Sequence, residues 1–564
     1  MDSVRRLNEK FCREEFDENG VLKKFELTPP QNFNFAYDVI DEIAKLEPQK
    51  RALVWCNDKG QERIFTYSDL SELSNRTANM FLANGVKKGD MVMCVLKRHW
   101  QFWIVTFALC KIGAILIPAT NQLMKKDYTY RFELGKVTHI IATADGEVID
   151  HIEDALKEYD KMGTKFVVNA NGVKKDGWID FDEEIVKYDD KLPRFENDVN
   201  DDMLAFFSSG TTGYPKLVLH AHHYAVAHII TAKHWHHLNE KSLHLTISES
   251  GWAKCAWGKM YGQFIMGATV FVYDFDKFMP SNVLHMIEKY KITSLCCPPT
   301  MYRFFIKEGM GGYDLSSLEY ATVAGEALNA EVFNKFYEYT GLKLMEGFGQ
   351  TETVLIIANL YGMTPKPGAM GRPTPLFDVD IVDENGNSQP TGVTGEIVIR
   401  TTKYGNEYGI FKKYYGTQDA TERAWHNNLY HTGDTAYRDE DGYIWYVGRV
   451  DDVIKASGYR IGPFEIESVL MEHPSVLEVA VTGIHDEIRG QVVKATIIPT
   501  SEYKKKIAES REYEKALIKE LQDYVKKQTA PYKYPRIIEF VDELPKTISG
   551  KIRRVEIRQR DNQK

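Results

Sequence analysis

From about residue 50 to 350, short apolar runs alternate with longer amphipathic ones. MVMCVL (91–96), AILIPA (114–119), HIIAT (139–143) and KFVVNA (165–170) read as buried strands, and ATVFVYDF (268–275), ITSLCCP (292–298), YATVAG (320–325) and KLMEGFG (343–349) as a second set. Between them lie segments such as 68–85, with apolar residues at helical spacing, an early Asp and a closing Gly. This alternation predicts stacked parallel α/β layers. The most apolar stretch, His99 to Met124, is broken by Lys111, Gly113 and Pro118. Its apolar part is too short to span a bilayer, and it reads as a helix followed by a strand.

The pattern changes after about 365. Four prolines at 365, 367, 373 and 375 stiffen a connector, and 379–389 with 395–402 then read as antiparallel strands around Asn-Gly. Residues 438–449 read the same way around Asp-Gly. Beyond Asp452 a separate, Lys-rich, βαβ-like unit is predicted: strands near 453–457, 476–484 and 491–499, a charged helix across 502–528 with a solvated face, and a strand at 536–541.

The 564 residues are enough for several domains, and 43% hydrophobic with 27% charged residues is a globular composition. A net charge of −9 removes the electrostatic case for nucleic-acid binding but leaves local anion sites possible. Seven scattered cysteines without a CxxC pair point to a reducing compartment, taken as the cytoplasm, and not to a disulfide framework or a zinc site. The N-terminal twenty residues mix acids and bases without an apolar core, unlike a signal or transit peptide. Eight of the sixteen histidines fall between 220 and 244; following directly on the phosphate-loop candidate and with no acidic or Cys ligand expected to join them, they read as structural rather than as metal ligands.

Four segments carry candidate chemistry. Ser208-Ser209-Gly210-Thr211-Thr212-Gly213-Tyr214-Pro215-Lys216 combines tight-turning glycines, hydroxyls and a lysine, a composition suited to polyphosphate. Its G-x-x-G-x-x-K spacing is not that of the kinase or GTPase loop, and a polar hairpin is the plain alternative. Gly347-Phe348-Gly349-Gln350-Thr351-Glu352 follows a strand, and its hydroxyl and carboxylate together suit a phosphate oxygen with its Mg²⁺. In Tyr430-His431-Thr432-Gly433-Asp434 and Gly448-Arg449 a carboxylate suits ribose hydroxyls and an arginine a phosphate. Pro545 to Arg554 places Lys551 in a basic segment that by itself reads as a solvated tail.

Together, in this order, the four segments resemble the adenylate-forming superfamily of acyl-CoA synthetases, luciferases and nonribosomal adenylation domains, over about residues 35–558. The resemblance implies a fold of α/β class. A large N-terminal AMP-binding domain (1–450), with two stacked α/β layers and a small β-barrel, would be joined at Asp451 to a small mobile α+β C-terminal domain (451–564). It implies acyl-AMP formation from ATP and a carboxylic acid, then transfer to CoA. Residues 208–216 would cradle the β- and γ-phosphates, Thr351 the α-phosphate, and Glu352 would hold Mg²⁺. Gly325-Glu326-Ala327 and Glu346 to Phe348 match the adenine wall, Asp434 and Arg449 the ribose contacts, and Lys551 the lysine that bridges carboxylate and α-phosphate.

For CoA, Ser457-Gly458-Tyr459-Arg460 resembles the lining of the pantetheine path. Arg489, Lys526 and Tyr534-Pro535-Arg536 resemble contacts to its nucleotide end in the medium-chain branch. Acetate enzymes of the superfamily typically carry Trp where this chain has Gly349, so acids longer than two carbons are expected. Trp252 and Trp257 resemble acyl-tunnel residues, with Cys297 and Gly349 opposite Trp257, and the indole should favour short-to-medium or branched acids. Lys254 and Lys259 fit either beside that pocket or outside it. Two alternatives stay open: a module loading a carrier-protein phosphopantetheine or serving an oxidative light reaction, and a non-catalytic nucleotide sensor. A homodimer is compatible with the sequence.

Overall fold

A computed structural model of the chain describes residues 3–172, 174–208, 214–401, 407–456, 459–487, 489–547 and 550–562. The first set of apolar runs forms the parallel strands Met91–Val95, Ile115–Pro118, His139–Thr143 and Lys165–Val168. They lie in an eight-stranded sheet that Asp202–Ser208 joins in parallel, while Lys216–Ala221 and Lys413–Tyr415 extend it antiparallel. The second set forms a nine-stranded sheet whose centre runs Leu344–Phe348, Tyr320–Val323, Ser294–Cys297, Leu243–Thr246, Thr269–Asp274 and Arg51–Asn57, all parallel. Strands buried on both faces read as unbroken apolar runs, which is why both sets were legible.

The apolar stretch at 99–124 is the helix Gln101–Ile112, buried along its whole length, followed by Ile115–Pro118. Gly113, with φ 73°, ends the helix. Lys111 is buried there and paired with Asp41 at 2.7 Å. Helix Tyr67–Ala83 starts from a capping box of Thr66 and Asp69. Among the described residues no helix is long and apolar enough to cross a membrane.

A five-stranded antiparallel sheet, including Asp378–Val382, Gly395–Arg400, Leu429–Arg438 and Ile444–Arg449, forms the expected small β unit. Past it, Ile454–Ala456, Val476–Asp486, Gly490–Pro499 and Ile537–Phe540 share a further sheet. The core around that sheet draws only on residues between Ile454 and Ile538, with neighbours that are likewise all past 454. The charged segment at 502–528 is two helices, Ser501–Glu509 and Arg511–Gln528. Ser510 is extended and its hydroxyl caps the second helix by accepting from Tyr513 N at 3.2 Å. The second helix is not wholly solvated either, since Leu517, Leu521 and Val525 bury one stripe of it.

Candidate functional site

The candidate residues gather where the carboxyl ends of the nine-stranded sheet meet the small β unit. Strand Leu344–Phe348 ends at Gly349, and a turn closed by Gln350 N donating to Thr353 Oγ1 at 3.1 Å presents Thr351 and Glu352. Gln350 is the joint of the site. Its Nε2 donates to Asp434 Oδ2 at 2.5 Å and to Thr432 O at 2.8 Å, and its Oε1 accepts from Tyr430 Oη at 2.6 Å.

Asp434 is buried and takes two further donors: Arg449 Nη1 to Oδ2 at 3.1 Å and Tyr446 Oη to Oδ1 at 3.1 Å. Tyr446 and Arg449 are three residues apart on one strand, a spacing that normally points side chains to opposite faces. The ladder steps from Thr435–Gly448 to Ala436–Tyr446, leaving Val447 as an extra residue, and this bulge turns both side chains toward Asp434. Gly433 beside them adopts φ 68°, a left-handed backbone conformation that favours glycine. Burial raises the Asp434 carboxyl, while Arg449, Tyr446 and Gln350 act to keep it ionised.

Glu352 accepts from Tyr414 Oη at 2.8 Å, and Lys216 Nζ stands 4.6 Å from the centre of the Tyr414 ring. Burial lowers Lys216, and the Glu352 charge opposes that shift. A single carboxylate held at one oxygen, able to share a cation with nucleotide phosphates, is the donor set that Mg²⁺ favours, so Glu352 fits the metal the superfamily implies. His220 Nε2 donates to Thr351 O at 2.8 Å and fixes that turn from below. Of the phosphate loop, Ser209 to Gly213 lie outside the described residues, as do Ser457 and Gly458. Ser208 ends its strand opposite Lys216, and the exposed Tyr214 stacks on Tyr130 at 4.9 Å.

Glu346 is buried, accepts from Leu328 N at 3.1 Å, and is pushed up to about 8 by burial. Gly325 adopts φ 103°, and Glu326 Oε2 accepts from Thr300 Oγ1 at 2.8 Å with Ala327 adjoining. Lys254 faces this edge: its Nζ donates to Ala324 O at 2.5 Å and would stand 3.8 Å from a Cβ on Gly325. Burial lowers Lys254, and the Lys551 charge acts in the same direction. The Lys551 charge also lowers Asp434, so Lys551 stands within electrostatic reach of both groups. Lys259 instead donates to Ser248 O, and burial lowers it to about 8.

Trp257 lies over Gly349, where a Cβ would meet its ring at 2.3 Å. Cys296 packs in the same core as Trp257, whereas Cys297, one residue on, packs with Tyr302 and Phe305 on the other side of the strand. Trp252 is half-buried at the start of the helix Ala253–Lys259.

The CoA candidates fall into separate groups. Lys526 Nζ and the Arg536 guanidinium lie 4.2 and 5.0 Å from the Tyr534 ring, and Gln522 Nε2 donates to Pro535 O at 3.0 Å. Tyr459 stacks on Tyr532 at 4.0 Å, and Arg460 pairs with Glu384 of the small β unit at 2.6 Å. Arg489 N donates to Asp486 Oδ1 at 2.8 Å. Three of the histidines of 220–244 hydrogen-bond side chains inside the fold: His236 to Thr322, His244 to Ser294 and Thr246, and His234 to the half-buried Glu14. Burial lowers His220, His223, His228 and His244 to about 3.

Tyr414, Tyr446 and the His220–Thr351 bond escaped the reading of the sequence. Tyr446 sits in a recognisable strand, but only the bulge aims it, and Tyr414 follows a stretch with no motif.

The AMP-binding enzyme family model matches residues 40–415, and that of the AMP-binding enzyme C-terminal domain matches residues 465–551. Human mitochondrial acyl-coenzyme A synthetase ACSM3 is 41% identical over 550 residues, covering 96% of this chain and 92% of the relative. Mouse mitochondrial acyl-coenzyme A synthetase ACSM4 is 39% identical over 97% of this chain and 93% of its own length. Among solved structures, the anthranilate CoA ligase AuaEII in complex with anthranoyl-AMP aligns with a TM-score of 0.84 at 27% identity, covering 95% of this chain and 98% of that one. A Brucella canis acyl-CoA synthetase aligns with a TM-score of 0.72 at 28% identity, covering 95% of each chain. With a site built on the Gln350–Asp434–Arg449 joint and both family models matched in order along one chain, this protein belongs to the AMP-binding enzyme family.

Proposed function

We propose that the chain is an ATP-dependent acid–CoA ligase acting on a short-to-medium-chain or branched carboxylic acid. A carboxylate oxygen attacks the α-phosphorus of ATP, the bond to the β-phosphate bridging oxygen breaks, and pyrophosphate leaves. The sulfur of CoA then attacks the acyl carbon of acyl-AMP, AMP departs with the anhydride oxygen, and the thiol proton passes to solvent. The barrier of the first step is repulsion between two anions, so catalysis is mainly positioning and charge stabilisation.

Asp434 takes the ribose hydroxyls, with Arg449, Tyr446 and Gln350 holding its carboxylate. Thr351 meets the α-phosphate, and Lys216 with residues 208–215 meets the outer phosphates. Glu352 would hold Mg²⁺, which when bound supplies charge neutralisation across the phosphates. Glu346 to Phe348 and Gly325 to Ala327 line the adenine. Lys551 bridges carboxylate and α-phosphate oxygens in the first step. The observation that carries this reading is the buried Asp434 carboxylate held by Gln350, Tyr446 and Arg449 at the end of the strand that presents Thr351 and Glu352.

For the second step Lys551 withdraws by rotation of residues 451–564 about Asp451. In support, Asp452 is gripped by Arg558 at 2.5 Å and Arg554 at 3.7 Å, so the chain just past Asp451 travels with the C-terminal helix. The rotation would free Arg460 from Glu384. Tyr459, Arg460 and residues 457–458 then line the pantetheine path, and Arg489, Lys526, Tyr534, Pro535 and Arg536 take the nucleotide end of CoA. These cations favour CoA over a carrier protein. Trp252, Trp257, Gly349 and Cys296 bound the acyl pocket, Cys297 lying on the other side of the strand. All seven cysteines are free and buried, which suits a reducing compartment, read here as the cytoplasm; cell fractionation tests it.

The test is pyrophosphate and AMP release with ATP, Mg²⁺ and CoA across acids from acetate to decanoate, with branched and aromatic acids included. Turnover is expected to peak beyond acetate. Absence of AMP with every acid overturns the proposal, and a peak at acetate overturns the pocket assignment.

A further inference from the structure

We infer that Tyr414 is a positioning residue for the phosphate end of the site, holding Glu352 by its hydroxyl and Lys216 by its ring. This rests on Glu352 being the metal-binding carboxylate. The segment that carries Tyr414 is stitched to both phosphate-handling motifs. On one side Val354 N donates to Gly409 O at 2.8 Å, Phe411 N donates to Glu352 O at 2.7 Å, and Thr353 bridges Ile410. On the other, Lys413–Tyr415 pairs with the strand that leaves Lys216, placing Tyr414 opposite Val218. Tyr414 N is further tied to Thr421 Oγ1 at 3.0 Å.

The side chain is therefore fixed before any ligand arrives. It is buried, its Oη donates to Glu352 Oε1 at 2.8 Å, and Lys216 Nζ lies 4.6 Å from its ring centre. Lys216 and Glu352 carry opposite charges close enough to feel each other, and Tyr414 touches both. The phenol occupies one carboxylate oxygen, and the ring face receives the ammonium. Without it the lysine and the carboxylate are free to collapse on each other, each cancelling the charge the other must present to phosphate or to metal. A hydrogen bond from behind a metal-binding carboxylate also fixes its direction, and losing such a partner weakens metal affinity about 10- to 100-fold.

The experiment uses the full-length protein with a non-hydrolysable ATP analogue. Mn²⁺ binding is followed by electron paramagnetic resonance, and metal-free nucleotide binding by calorimetry. Tyr414→Phe keeps the ring under Lys216 and removes only the hydroxyl. It is expected to weaken Mn²⁺ binding about tenfold while metal-free nucleotide affinity stays within twofold. Tyr414→Leu is expected to weaken both. Mn²⁺ binding within twofold of wild type in Tyr414→Phe overturns the inference, as does an equal loss with and without metal, which a merely structural role would give. Glu352→Gln separates the two levels. If it weakens Mn²⁺ binding and Tyr414→Phe does not, only the role of Tyr414 falls; if it leaves Mn²⁺ binding intact, the metal assignment of Glu352 falls and the inference with it.

Discussion

The indole of Trp257 lies across Gly349, so close that a Cβ built there would meet ring carbons Cη2 and Cζ2 at 2.3 and 2.6 Å. The space left by the missing side chain at 349 is thus taken by a ring from the helix Ala253–Lys259. Trp235 backs it edge-on at 6.1 Å and is itself fixed by donating to Met345 O at 2.9 Å. In the proposed acyl pocket, acyl length would be set by where this indole stops. Trp257→Leu should move the best acid to a longer chain, with the preference between neighbouring chain lengths changing about 10-fold or more per methylene. AMP formation across the acid panel measures it, and an unchanged profile would remove Trp257 from the pocket. Gly349→Ala should lower activity on all acids, because backbone and ring must part to admit the methyl.

Asp434 accepts from three side chains, Gln350, Tyr446 and Arg449. Asp434→Asn removes the charge that pairs with Arg449 and puts an amide donor among donors. Hydrogen bonds to charged groups are each worth about 1.5–3 kcal/mol, so ATP affinity should fall roughly 10- to 100-fold. Equilibrium binding of ATP alone reads this without turnover, and affinity within twofold of wild type would displace Asp434 from the ribose.

Much of the scaffold was legible because parallel strands announce themselves as apolar runs, and hairpins by Asn-Gly and Asp-Gly. The break at Ser510 was not, since a serine among charged residues leaves helical spacing intact and only its extended backbone ends the helix. At the site, motif residues were legible but their supports were not. Tyr446 reaches Asp434 through one extra residue in a ladder, and Tyr414 reaches Glu352 across 62 positions of sequence. Cys296 and Cys297 show the same limit: one residue of register decides which faces Trp257.

Lys551 is tied to Thr547, whose N donates to Lys551 O at 2.8 Å and whose Oγ1 accepts from Lys551 N at 3.1 Å. Lys551 belongs to the C-terminal part of the chain, while Asp434, held by Gln350, Tyr446 and Arg449, belongs to the larger part. Lys551→Ala should therefore lower acyl-AMP formation by about 100-fold or more while thioester formation from supplied acyl-AMP stays largely intact. Single-turnover assays of each half-reaction separate the two. Equal losses in both would argue against a lysine that serves one step and leaves before the other.

Glu346 gives a pH dependence that needs no substrate. Burial lifts its carboxyl from the usual 4.5 to about 8, so between these values the folded protein keeps a proton that the unfolded chain releases. The folded state then binds more protons than the unfolded one, and stability falls as pH rises through this window, by at most about 1.4 kcal/mol per pH unit. Below the window the contribution is fully present. Glu346→Gln keeps an oxygen to accept from Leu328 N but cannot ionise, so it should remove this part of the slope and leave the variant more stable than wild type at pH 8.5. Denaturant unfolding at pH 5.5, 7 and 8.5 measures both proteins. Parallel profiles would mean that Glu346 ionises in the folded state as readily as in the unfolded chain, and that the adenine edge carries a charge the burial argument denies it.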